Sequence, residues 1–121
     1  MKKRISRLFS IFLVLALAFA LLPTAAFAAM SGYTAWNASA NSNYKTSLPT
    51  SGSYYLTDDV TLSSSISLTG NLNLDLNGYS VYFKNGSGHA INVSNWTFCL
   101  YDSVGSGVLQ KTGGSYARCV W

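Results

Sequence analysis

Leu72-Asn73-Leu74-Asp75-Leu76-Asn77-Gly78-Tyr79-Ser80-Val81 is the stretch that decides the fold. Its three leucines alternate with Asn73 and Asp75, so on an extended strand they share one face. Asn77-Gly78 then supplies a corner, because both residue types tolerate positive φ. The same texture runs outward on both sides, in short bursts at Tyr54–Leu62, Ile66–Leu68, Tyr79–Phe83, Ala90–Val93, Phe98–Tyr101 and Val108–Gln110. Val60/Leu62, Ile66/Leu68, Val81/Phe83 and Ile91/Val93 repeat the i, i+2 spacing. No helical period occurs after residue 28, so that part of the chain is read as all-β.

A longer rhythm overlies the short one. Ile66 and Ile91 are 25 residues apart, Leu74 and Leu100 are 26, and Val81 and Val108 are 27. Three strands recur after each lap, and a third lap is expected to begin at Ala117–Trp121. Such a period points to stacked coils, each burying its apolar face against its neighbours. A parallel β-helix is the economical architecture. An antiparallel sandwich or meander is the rival, since Asn-Gly also marks hairpins.

The N-terminus obeys a different grammar. Lys2, Lys3, Arg4 and Arg7 precede an apolar run, Leu8–Leu22, and Ala26-Phe27-Ala28 follows the break at Pro23. This is the layout of a helical signal peptide over 1–28, with cleavage after Ala28 or, second, after Ala29. It predicts a secreted or cell-surface protein, in contact with a membrane only during export. The chain has 8 basic and 4 acidic residues, giving a net +4. All of that excess sits in the leader; four bases face four acids in the rest. The basic pI is therefore no sign of a nucleic-acid partner. Residues 29–53 are rich in Ser, Asn, Ala and Thr and read as a linker and N-terminal cap anchored by Tyr33, Trp36 and Tyr44. Residues 54–121 read as the first coils.

Leu48–Leu62 resembles the opening of right-handed parallel β-helix proteins of the pectate-lyase-like superfamily. Leu72–Val81 is similar to the Leu-Asp-Leu-Asn-Gly coil of that group, and Phe98–Ser103 resembles the coil that follows it. The resemblance implies a cap followed by two to three right-handed coils. It also implies further coils beyond Trp121, so the chain is expected to be an N-terminal fragment whose residues 29–121 alone would be marginally stable or aggregate. It says little about activity, because the fold hosts lyases, hydrolases, adhesins and passive stalks.

Few residues suggest chemistry. Asp58 and Asp59 are adjacent and point to opposite faces, so they read as surface and turn acids rather than a catalytic pair. Asp75 is expected to point outward and Asp102 to sit at a corner. They lie about one lap apart, which is the basis for a Ca²⁺ site on stacked coils. His89 has no partner at catalytic spacing and reads as a corner or surface residue. Cys99 and Cys119 allow either a disulfide or two free thiols. The triplets at Asn37, Asn85, Asn92 and Asn95 read as turn residues. Tyr82, Tyr101 and Trp96 are the candidates for a strip on which sugar rings stack. The expected role is structural or adhesive, with a polysaccharide or cell-surface glycan as partner and no catalytic residue in this segment. The alternative is the N-terminal part of a polysaccharide lyase or glycoside hydrolase whose catalytic coils lie beyond residue 121.

Overall fold

The computed structural model describes residues 30–84, 86 and 88–112, and the backbone of 118–120. The predicted signal peptide and its cleavage site at Ala28 or Ala29 lie outside the described residues, as do Asn85 and the side chain of Cys119. Ten strands follow one another: β1 Thr34–Trp36, β2 Gly52–Leu56, β3 Val60–Leu62, β4 Ile66–Ser67, β5 Leu72–Asp75, β6 Val81–Phe83, β7 His89–Asn92, β8 Phe98–Tyr101, β9 Leu109–Lys111 and β10 Arg118–Val120. No helix occurs among the described residues.

The strands form three sheets, ordered β1-β2-β5-β8, β3-β6-β9 and β4-β7-β10. Every pairing is parallel, which rules out the antiparallel sandwich or meander. From β2 onward the chain visits the first, second and third sheets in that order and then returns to the first.

The expected spacing holds at two of its three positions. Ile66 pairs with Ile91 and Leu74 with Leu100. Val81 pairs with Leu109 instead of Val108, whose side chain is exposed. The cause is the corner between the first and second sheets. It contains residues 57–59 after β2, 76–80 after β5 and 102–108 after β8. The last of these is the longest, and it moves the register on by one residue.

The apolar faces of the three sheets meet in one core. Leu56, Leu72 and Leu74 from the first sheet, Val60, Val81 and Phe83 from the second, and Ile91 from the third are wholly buried there. Each buried side chain of this size contributes about 1.5–3 kcal/mol relative to exposure. Register alignment stacks like on like, with Val60 beside Val81, Leu62 beside Phe83 and Ile66 beside Ile91.

The stretch read as linker and cap contains a strand of its own. β1 extends the first sheet beyond β2, with Trp36 opposite Leu56. The Trp36 indole is buried edge-to-face against Tyr54 at 5.3 Å between ring centroids. Its Nε1–H donates to the carbonyls of Tyr44 and Ser47 at 3.1 and 3.0 Å. Trp36 thus ties the turns after β1 to that end of the core.

Candidate functional site

Alternation fixes which side chains the first sheet presents away from the core. Leu74 and Leu76 are buried in the core, so Asp75 between them faces the other way. The register places Ala35, Tyr55, Asp75 and Tyr101 side by side across the four strands. The next row holds Ser53, Asn73 and Cys99, and Asn73 Nδ2 donates to Ser53 Oγ at 3.1 Å.

Two tyrosines close over this face. Tyr33 directly precedes β1, and Tyr101 is on β8 at the opposite edge. Three strand spacings separate those edges, about 14 Å. The two rings nevertheless lie 6.4 Å apart, edge to face at 86°. Both therefore lean inward over β2 and β5. Burial of the Tyr33 phenol, and then the neighbouring Tyr101, Asp75 and Cys99, hold its hydroxyl above the ordinary tyrosine range. Tyr101 remains 42% exposed.

Asp75 points away from the core, as its position between leucines requires, but it is not open to solvent: its exposure is 0%. Its Oδ1 accepts the amide N–H groups of Asn77 and Ser103, each at 2.9 Å. Its Oδ2 is buried and accepts no hydrogen bond. Asn77 Oδ1 is likewise a buried acceptor without a donor.

Asp102 does not stack on Asp75, whose partner in register is Tyr101. It turns instead into the long corner before β9. Oδ1 accepts from the amide of Gly78 at 2.9 Å and Oδ2 from that of Gly107. Burial alone would push the Asp102 carboxyl up. The amides of Gly107, Gly78, Gly105 and Val104 outweigh it and hold the carboxyl below the usual range. Both carboxylates are thus committed to backbone amides. No group of three or more His, Cys, Asp or Glu side chains suited to a metal ion occurs among the described residues.

The remaining candidates are scattered. Tyr82 is half-buried on the outer side of the second sheet, in register with Thr61 and Gln110. Trp96 is 45% exposed in the turn before β8. Neither shares a row with Tyr101, so the expected strip of Tyr82, Tyr101 and Trp96 is not assembled. The structure groups Tyr101 with Tyr33 and Tyr55, which the sequence reading left out. Their signal was their row: Tyr55 is 20 residues before Asp75 and 46 before Tyr101, on the same side of the strand.

Cys99 is a free, half-buried thiol on β8, while Cys119 belongs to β10 in another sheet. His89 opens β7 opposite Arg118 in register. Asp58 pairs with Lys45 at 2.8 Å, and Asp59 Oδ1 accepts the amide of Ser80 at 2.8 Å, so the two acids serve separate structural bonds. Asn37 Oδ1 accepts the amides of Ser39 and Ala40, as a turn residue does. No helix among the described residues is long and apolar enough to cross a membrane. Compared with protein families, curated proteins and solved structures, the chain matches none.

Proposed function

We propose that this chain is a secreted or cell-surface segment of right-handed parallel β-helix with a structural or adhesive role, and that the outer face of its first sheet contacts carbohydrate. The leader grammar of residues 1–28 supports export. The repeated passage through three parallel sheets supports a coiled scaffold that grows by stacking.

The observation that carries the carbohydrate contact is the Tyr33–Tyr101 pair leaning across a four-stranded sheet. A tyrosine ring offers a flat apolar body with a polar tip, which suits the C–H face and hydroxyl rim of a sugar. Backbone amides and carbonyls of β2 and β5 are held in the sheet ladder, so the platform beneath is rigid. Pull-down of the full-length chain with insoluble polysaccharides tests this reading. Retention of the wild type and loss of retention in Tyr101→Ala are expected. No retention on any polymer refutes the carbohydrate contact.

A further inference from the structure

We infer that Asp75 is the polar anchor of a site for a neutral sugar ring, its unpaired carboxylate oxygen accepting a sugar hydroxyl while the ring packs on Tyr101. This rests on the carbohydrate reading above and adds to it a hydrogen-bonding residue and the charge class of the ligand.

Asp75 is fully buried on the outer face, in register between Tyr55 and Tyr101. A carboxylate has lone pairs for about four donors. Oδ1 is supplied by the amides of Asn77 and Ser103, and Oδ2 by nothing. A buried acceptor left unpaired is costly, so a ligand that brings a donor gains what the folded chain lacks. Asn77 Oδ1, two residues along, is a second buried acceptor without a donor. What both oxygens lack is a hydrogen-bond donor, and hydroxyl groups supply it.

A cation fits less well. Calcium takes six to eight oxygen ligands, and the described residues offer no cluster of three or more charged or imidazole ligands. The rings of Tyr33 and Tyr101 instead call for a ligand with an apolar face and a hydroxyl rim. A uronic acid would set its carboxylate against Asp75, an unfavourable like-charge pair. Neutral pyranoses meet both requirements. Tyr33 covers the carboxylate from the β1 side, so it must swing aside for the ligand to enter.

The test is affinity electrophoresis and calorimetry of the full-length chain against a neutral panel (β-glucan, galactomannan and xyloglucan) and against polygalacturonate. Binding to a neutral polymer and not to polygalacturonate is expected. Asp75→Asn replaces the acceptor with a donor of the same shape, and should weaken binding at least about tenfold. Removing the cover with Tyr33→Ala should speed association. If Tyr101→Ala abolishes binding and Asp75→Asn stays within about twofold of wild type, the anchor is wrong and the carbohydrate reading survives. Binding to no polymer overturns both. Should Asp75→Asn fail to fold by circular dichroism, Tyr33→Ala decides, and an association rate that does not rise overturns the inference.

Discussion

Asn77 Nδ2 donates to the carbonyl of Leu56, one pass earlier in the first sheet, at 3.0 Å. Thr57 makes the matching bond one pass before that, Oγ1 donating to the Trp36 carbonyl at 2.8 Å. In both cases the side chain follows its carbonyl by 21 residues. The first corner is thus held by a rung of polar side chains reaching back to the preceding pass.

That rung sets an expectation for Asn77. Its φ of 51° lies in the left-handed region, where Asn is tolerated and Ala is strained. Asn77→Ala should lose the bond and strain the backbone, costing about 2–3 kcal/mol. Asn77→Gly loses the bond alone and should cost about 1 kcal/mol. Urea denaturation of both variants checks this, and equal losses would remove the backbone part of the argument.

Trp36 should be the most sensitive position in the cap. Trp36→Ala empties a buried site and is expected to cost about 3–5 kcal/mol. Trp36→Phe keeps much of the bulk but takes the donor from the Tyr44 and Ser47 carbonyls, for about 1–2 kcal/mol. Thermal unfolding should rank wild type above Phe and Phe above Ala. If Phe and Ala fall together, the hydrogen bonds rather than the packing secure the cap.

Two glycines should behave in opposite ways. A Cβ on Gly107 would meet the Tyr79 carbonyl oxygen at 2.6 Å and Leu76 Cβ at 2.7 Å. The close approach of two corners leaves it no room, so Gly107→Ala should destabilise by about 1–3 kcal/mol. A Cβ on Gly86 would meet nothing within 4 Å, and Gly86→Ala should leave the melting temperature unchanged. Two similar melting curves would mean that the long corner shifts freely to make space.

Acid should loosen the corner held by Asp102. Its carboxyl is depressed in the folded chain, so its stabilising effect is present above the unfolded value of about 3.9. That effect is lost as pH falls below about 4 through the lower folded value. Melting temperatures measured from neutral pH downward should therefore drop in this range. Asp102→Asn should start lower at neutral pH and fall less steeply, and parallel curves would assign the acid sensitivity to other groups.

The columns of the core were legible in the sequence, because Ile66–Ile91 and Leu74–Leu100 are apolar residues repeating at one lap. The short first laps were not. Tyr54 to Leu74 is 20 residues, against 26 from Leu74 to Leu100, so no single period describes both. β1 was hidden for another reason: three residues, Thr34-Ala35-Trp36, cannot display alternation, and their pairing with Tyr54–Leu56 is set by Trp36 packing. For Asp75, local alternation gave the correct side of the strand. Its burial depends on Tyr33 reaching over from the far edge of the sheet, a contact between residues 42 positions apart that carries no local signal.

The unequal corners have a consequence for how such a chain changes over time. Codons gained or lost between strands alter only the loop they fall in, and the stacked rows on either side stay aligned. The same event inside Leu72–Asp75 would turn every later side chain of that strand to the wrong side. Length variation among descendants of this gene should therefore gather in 102–108 and 84–88, while the strands between them keep their size.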